Sequence, residues 1–265
     1  MSLIQIDNIY AGYGNGNVIE DISLEINQGE LIGILGFNGS GKSTLAKAIC
    51  NLLPHSGEVR IGDRTLSDKN RTETGRVIQY VPQQSGIGID ISVLDVVLMG
   101  CNVELRLFEN PTLAMKERAL NVLNTVGLSH KANSNYMHLS EGQKRLVILA
   151  RALVGDGKLL VMDEPESALD YRIRYHIMDV ARDWVSRGER AGLVILHDIM
   201  LALNKCDRLI LLSDKKNMGI IDLHHDTMES IQGRLSALYG DISLHQVIGK
   251  SGRKSLVMVY DSEGS

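Results

Sequence analysis

The stretch Glu30-Leu31-Ile32-Gly33-Ile34-Leu35-Gly36-Phe37-Asn38-Gly39-Ser40-Gly41-Lys42-Ser43-Thr44 decides the architecture. Leu31 to Leu35 is apolar throughout, as expected of a strand buried on both faces. A glycine loop follows, and residues 42–53 read as a helix stopped by Pro54. Gly36 to Ser43 matches G-x4-G-K-[ST] in the strand–loop–helix context that the motif requires. Its glycines let successive backbone N–H groups point inward as an anion nest. The helix amino terminus adds roughly half a positive charge. Lys42 is placed to reach the β- and γ-phosphates of a nucleotide, and Ser43 to offer its hydroxyl to Mg²⁺. The competing reading is an ordinary glycine turn with a surface lysine; typical residue frequencies put a chance match at on the order of 1%. Gly36, Phe37, Asn38, Gly39, Ser40, Gly41, Lys42, Ser43 and Thr44 are therefore candidate nucleotide-binding residues. Gly249-Lys250-Ser251 is a decoy: Leu244 stands where the upstream glycine belongs, and the segment reads as a hairpin turn.

Upstream of that stretch, Ile4 and Ile6, then Ile22, Leu24 and Ile26, alternate with polar neighbours, the period-two pattern of a half-buried antiparallel sheet. The glycines of Gly12-Tyr13-Gly14-Asn15-Gly16-Asn17 mark a loop between the two runs. Composition sets outer bounds. The chain has 265 residues, 28 basic and 32 acidic, for a formal charge of -4. At about 150 residues per domain this means one to two domains, and the balance lacks the basic stripe of a nucleic-acid binder. Cys50, Cys101 and Cys206 are three and far apart, neither a disulfide framework nor a zinc site, which fits a reducing compartment. The amino terminus does not read as a signal peptide. No run approaches the roughly 18 apolar residues of a membrane span.

Downstream, residues from about 85 to 138 read as mostly helical, with Leu120, Leu123 and Val126 on one side of a helix that Gly127 ends. Apolar strand runs return at Leu159–Met162, Leu193–Leu196 and Leu209–Leu212. Helical stretches separate them, one placing Ile173, Ile177, Val180 and Trp184 on a single face. Buried strands alternating with helices imply βαβ units and a mostly parallel sheet. A helix near Met228 to Tyr239 and a hairpin close the chain. A phosphate loop needs an acidic partner on a neighbouring strand, and Asp163 ends the Leu159–Met162 run, placed to hold Mg²⁺ through its hydration shell. Glu164 is placed to orient or deprotonate the attacking water. His197 follows its strand as Asp163 follows its own, so both should open on one edge of a parallel sheet. There a γ-phosphate contact outweighs a purely structural role. His224 and His225 lack such context and read as solvated loop.

With these elements in order the chain resembles ATP-binding cassette (ABC) ATPases, the nucleotide-binding subunits of ABC transporters. Leu139-Ser140-Glu141-Gly142-Gln143 is similar to the family signature LSGGQ and opens a helix. Ser140 can cap that helix, and its hydroxyl with the Gly142 N–H makes a second anion site. The resemblance implies that Ser140, Gly142 and Gln143 of one copy close on the ATP held by another, in a head-to-tail dimer sandwiching two nucleotides. It also implies that Gln83 is the Q-loop glutamine, contacting Mg²⁺ and coupling to the membrane partner. Ser167 to Asp170 match the D-loop and His197 the switch histidine. Tyr13 matches the aromatic residue that stacks on adenine, with Tyr10 as its competitor. The implied fold is α/β: a P-loop NTPase core with a mostly parallel sheet, an N-terminal antiparallel β subdomain and an α-helical insertion at about residues 85–138. Residues 1–225 would form the cassette and 226–265 a short extension. Three positions depart from the family pattern: Glu141 for the first signature glycine, Leu146 for an arginine after it, and Glu166 for a threonine. Glu141 is expected to face outward.

The implied activity is ATP hydrolysis with ATP and Mg²⁺. The chain has no membrane segment of its own to move, so the transporter reading requires separate permease subunits. It places the chain peripherally on the cytoplasmic face of the membrane. Ile91 to Gly100 is similar to the corresponding segment of iron–siderophore, haem and cobalamin importers, which also use an extracytoplasmic substrate-binding protein. Iron or another metal chelate is thus the expected cargo, and nucleic acid is not an expected partner. The alternative is a soluble, non-transport ABC ATPase such as an iron–sulfur assembly factor. A plain nucleotide kinase would leave the signature, Gln83 and His197 without a purpose.

Overall fold

Alternation along the first two strands buries one face of a hairpin. In the computed structural model, which describes residues 2–14, 16–66, 71–84, 86–106, 109–250 and 252–261, β1 (Ser2–Tyr13) and β2 (Gly16–Asn27) pair antiparallel. Ile4 stands opposite Ile26 and Ile6 opposite Leu24. Ile4, Ile6, Ile9, Ile22 and Ile26 are fully buried, each contributing about 1.5–3 kcal/mol by leaving water. The expected glycine loop is shorter than its glycines suggested, because the strands continue through Tyr13 and resume at Gly16; Asn15 lies outside the described residues. Next come β3 (Leu31–Leu35), α1 (Lys42–Ile49), β4 (His55–Ile61) and β5 (Arg64–Thr65). The first sheet has the order β2-β1-β4-β5. Helix α1 ends before Pro54: Asn51 takes a left-handed φ of 53°, and the Leu52 N–H turns back to the Lys47 carbonyl.

The middle of the chain supplies α2 (Arg71–Val77), β6 (Ile78–Val81), α3 (Val93–Leu98), α4 (Leu113–Thr125) and α5 (Glu141–Leu153). It is less helical than expected, since residues 86–92 are irregular and Met99–Glu104 is a 3₁₀ turn; Ser85 lies outside the described residues. The buried face of α4 also differs. Ala119 and Leu123 are fully buried, with Val126 following at its end, whereas Leu120 is 40% exposed. Positions 119, 123 and 126 share a stripe at helical spacing, and Leu120 falls to its edge. Gly127, at φ 76°, ends the helix as expected.

Then follow β7 (Leu159–Asp163), α6 (Tyr171–Val185), β8 (Ala191–Ile195), α7 (Ile199–Lys205), β9 (Arg208–Ser213) and β10 (Lys216–Asp222). The second sheet runs β10-β9-β3-β8-β7-β6, parallel throughout except for the antiparallel edge strand β10. Strand period divides its side chains between two cores. Leu160 and Met162 face the core built with α3 to α7, whereas Leu159 and Val161 face α1 and the first sheet. A third unit, α8 (Met228–Tyr239) and the hairpin β11 (Ile242–Ile248) with β12 (Lys254–Tyr260), closes the chain where a helix and hairpin were expected. Gly249 and Lys250 lie in that hairpin's connection, and Ser251 lies outside the described residues.

The mixed α/β architecture, with one antiparallel and one mostly parallel sheet, is the expected fold class. Its register positions the site. Ile34 pairs with Ile195, Asp163 also pairs with Ile195, and Leu35 pairs with Leu211. The carboxyl ends of β3, β7 and β8 therefore finish level, so Gly36, Glu164 and His197 emerge on one edge.

Candidate nucleotide site

Helix α1 begins differently from most helices of this chain. Ser92, Thr112, Ser140, Asp170, Asp198 and Thr227 cap α3 to α8 with their side chains, but α1 begins at Gly41 without a side-chain cap. Its first N–H groups are left for an anion. Gly41 has φ 97°, and a Cβ there would come within 2.5 Å of Ile19 Cγ2, so no larger residue fits the loop's entry to the helix. Lys42 is 5% exposed and donates to the carbonyls of Gly36 (2.8 Å) and Phe37 (2.9 Å). Burial lowers its pKa, while the nearby carboxylates of Glu164, Asp163 and Glu166 pull it back up. A cleft of about 370 Å³ opens over this loop, lined among others by Asn38, Gly39, Lys42, Gln83, Glu164 and His197. Gly41, Ser43 and Thr44 line it too. The Ser40 hydroxyl is buried with no hydrogen-bond partner. Phe37 is 53% exposed and meets the ring of Tyr239 edge-on at 5.7 Å.

The acidic side of the cleft comes from the end of β7. The Ser43 hydroxyl donates to Asp163 Oδ1 at 2.9 Å and the Tyr80 hydroxyl to Asp163 Oδ2 at 3.3 Å. Burial raises the Asp163 pKa against those two hydrogen bonds. Glu164 then turns the chain at φ 48°. For a residue with a Cβ this costs of order 1–3 kcal/mol, and such strain gathers at functional sites. The turn aims its carboxylate at two residues from other loops. Gln83 Nε2 donates to Glu164 Oε2 at 2.5 Å, and His197 Nε2 pairs with Glu164 Oε1 at 2.6 Å. Ser43, Asp163 and Gln83 together form a hard, oxygen-donor set that suits Mg²⁺.

The signature residues lie elsewhere. Ser140 and Gln143 spend their side chains on a capping box: Ser140 Oγ accepts from the Gln143 N–H (3.3 Å) and Gln143 Oε1 from the Ser140 N–H (3.1 Å). Gly142 is buried under Ile173, where a Cβ would come within 2.2 Å of the isoleucine Cδ1. None of the three lines the phosphate cleft. The Glu141 side chain is 80% exposed and paired with Lys144, so it faces outward. Leu146 is buried in the helical core. Tyr13, at the end of β1, is 55% exposed and also lies outside the cleft lining. As the sequence suggested, His224 and His225 lie in an exposed turn, their side chains 64% and 83% exposed, where they meet Asp207 at 2.9 Å and Asp222 at 3.0 Å. Two neighbours of the site were not among its candidate residues. Tyr80 supports Asp163 from β6, and Glu166, 3% exposed, accepts from the His197 backbone N–H at 2.7 Å.

Comparison with known proteins supports this site's kinship. The sequence model described as ABC transporter matches residues 19–167. The manganese transport system ATP-binding protein MntB of Bacillus subtilis is 38% identical over 216 residues, 80% of this chain and 84% of that protein. The hemin import ATP-binding protein HmuV of Bordetella bronchiseptica is 34% identical over 223 residues, covering 80% and 83%. Among solved structures, a metal-chelate type ABC transporter in an inward-facing conformation superimposes with TM-score 0.82 at 24% identity, covering 98% of both chains. A dimeric ATP-binding cassette in a post-hydrolysis state, bound to ADP and Pi, gives TM-score 0.74 at 27% identity, covering 83% of this chain and 98% of that one.

Proposed function

The chain belongs to the ABC transporter family, and from that premise we propose that it is the ATP-hydrolysing subunit of an importer whose cargo is a metal ion or metal chelate. The cargo class follows the relatives, which are named for manganese, zinc and hemin. The observation that carries the hydrolytic reading is the convergence of Gln83 and His197 on the strained Glu164.

Each residue then has a task. The Gly36–Thr44 loop binds the phosphates through backbone N–H groups, and Lys42 exchanges its two carbonyl partners for β- and γ-oxygens. Ser43, Asp163 and Gln83 would hold Mg²⁺, which when bound neutralises charge between the β- and γ-phosphates. Glu164 orients the attacking water and takes its proton, and His197 holds Glu164 and the γ-phosphate in register. Tyr13 stacks on the adenine. Ser140, Gly142 and Gln143 serve the nucleotide of a second copy, which explains why they lie outside the chain's own cleft. Residues 1–225 act as the cassette, and residues 226–265 form an appended unit. Among the described residues no helix is long and apolar enough to cross a membrane. By its kinship with the ATP-binding proteins of manganese and hemin import, the chain works docked to transmembrane permease subunits, on the cytoplasmic face, with an extracytoplasmic binding protein delivering cargo.

Glu164→Gln should reduce turnover by about 10²- to 10⁴-fold, the usual share of a general base, and leave ATP binding intact. Full retained hydrolysis removes Glu164 as the base. The transport assignment is tested separately. Detergent extraction of native membranes should bring the chain down with polytopic subunits, and its loss should abolish uptake of radiolabelled metal. An active ATPase that copurifies only with soluble proteins would leave the chemistry standing and end the importer reading.

A further inference from the structure

Two carboxylates of one turn grip the same histidine. Glu164 takes the His197 imidazole at 2.6 Å, and Glu166 takes its backbone N–H through Oε1 at 2.7 Å. The second contact is the enclosed one: Glu166 is 3% exposed, and its Oε2 is buried without a hydrogen-bond partner. A carboxylate kept in such a place costs desolvation free energy that an apolar residue would not. Its surroundings connect it to the other loops of the site. Arg145 of α5 donates to the carbonyl of Pro82, the residue before Gln83, at 3.0 Å; burial lowers its pKa, and the Glu166 carboxylate pulls it partly back up. The signature helix is thus tied to the Gln83 loop through Arg145, and the His197 loop to Glu166.

Among the described residues His197 itself is held by little else. Its side chain is 40% exposed, and strand β8 ends two residues earlier, at Ile195. Leu196 still bonds through its N–H to the Ile34 carbonyl, but the next N–H has Glu166 as its acceptor. A charge-assisted bond of this length is about twice as strong as a neutral one. It is therefore the contact that decides where the histidine leaves the sheet and at what angle its ring meets Glu164.

We propose that Glu166 is a positioning residue for ATP hydrolysis, holding the His197 backbone so that the imidazole and the Glu164 carboxylate stay in working register. The proposal rests on Glu164 and His197 being the hydrolytic pair. It assigns Glu166 no contact with the nucleotide, so ATP affinity should not depend on it.

Steady-state hydrolysis of Mg²⁺-ATP by the purified full chain tests this. Glu166→Ala and Glu166→Thr both remove an acceptor that reaches the His197 N–H. Each should lower kcat by on the order of 10- to 100-fold, the usual effect of misplacing a catalytic group by an ångström or less, with KM for ATP within about twofold. Glu166→Gln retains an oxygen acceptor at the same reach and should keep kcat within about threefold. Amide exchange at His197 should accelerate at least about tenfold in the alanine variant and stay slow in the glutamine variant, following the hydrogen bond. Wild-type kcat in the alanine and threonine variants would overturn the proposal. So would a glutamine variant as impaired as alanine, because the acceptor would then not be what matters. Should the alanine variant not fold, the threonine and glutamine variants carry the same comparison. Glu164→Gln, measured alongside, separates the two levels: if it still hydrolyses ATP, the pair itself is wrong, whereas its inactivity beside an active Glu166→Ala sinks only the role of Glu166.

Discussion

Lys42 is a buried cation whose two partners are carbonyls of its own loop. That arrangement keeps the ammonium inside the cradle without a carboxylate locked onto it, so a phosphate can take it over at low cost. Charge-assisted hydrogen bonds are worth about 1.5–3 kcal/mol each. Lys42→Ala should therefore weaken ATP binding by on the order of 10- to 100-fold, measured by fluorescence titration with a labelled nucleotide; unchanged affinity would place the phosphates elsewhere. Glu166 makes a different prediction, of stability. Burial raises its pKa above the ordinary 4.5, outweighing the N–H groups of His197 and its neighbours that favour the charge. A carboxyl whose folded value exceeds its unfolded value stabilises the fold at acid pH and loses that contribution as pH rises through the folded value. The melting temperature of Glu166→Gln relative to the parent should thus increase from pH 4.5 to pH 7.5. An equal difference at both pH values would show that the acid carries no such penalty.

At the scale of elements, the closing unit is attached where the site is built. The side-chain amide of Asn204, in the helix that follows His197, donates to the Leu256 carbonyl at 2.9 Å and accepts from its N–H at 3.0 Å, mimicking a strand. The Met258 N–H reaches Met200 Sδ at 3.2 Å, and Tyr239 packs edge-on against Phe37 of the phosphate loop. Asn204→Ala leaves both backbone groups of Leu256 without these partners. It should cost about 1–3 kcal/mol of stability and raise hydrogen exchange across Lys254–Tyr260. Unchanged protection there would mean the hairpin is held by its apolar face alone. Elements with strong local signals were legible in the sequence. The apolar runs ending at Leu35, Asp163 and Leu196 are strands because five or so consecutive apolar residues suit burial on both faces. Edge strand β10, with Lys216, Asn217 and Asp222 among its residues, carries no such run, and its place comes from pairing with β9. Leu120 was misplaced for a related reason. Period alone cannot tell the centre of a buried stripe from its margin, and here Ala119 takes the central position.

For the whole molecule, the consequential fact is separation. The capped start of α5 and the uncapped start of α1 are two helix amino termini with opposite treatment, and only the second lies over the cleft. A signature that serves phosphate without reaching its own chain's phosphate loop calls for a second copy. With hydrolysis blocked by Glu164→Gln, the chain should run as a dimer in size-exclusion chromatography with Mg²⁺-ATP and as a monomer without it. A variant that stays monomeric at saturating ATP would end the sandwich reading.

The sequence by itself determined the chemistry of the parts: a phosphate loop between a buried strand and a helix, an acidic pair at one strand end, a histidine at another, and the signature that resembles the family. These are local patterns, set by residue type and by spacings within one or two turns. The tertiary structure decided which parts meet. Gln83 and Glu164 are 81 positions apart and His197 a further 33 beyond Glu164, yet all three lie within hydrogen-bond reach. Strand order and register, which depend on packing across two cores, bring them to one edge. The same pairing buried Glu166 under the histidine, turning a departure from the family's pattern into the contact that holds His197 in place.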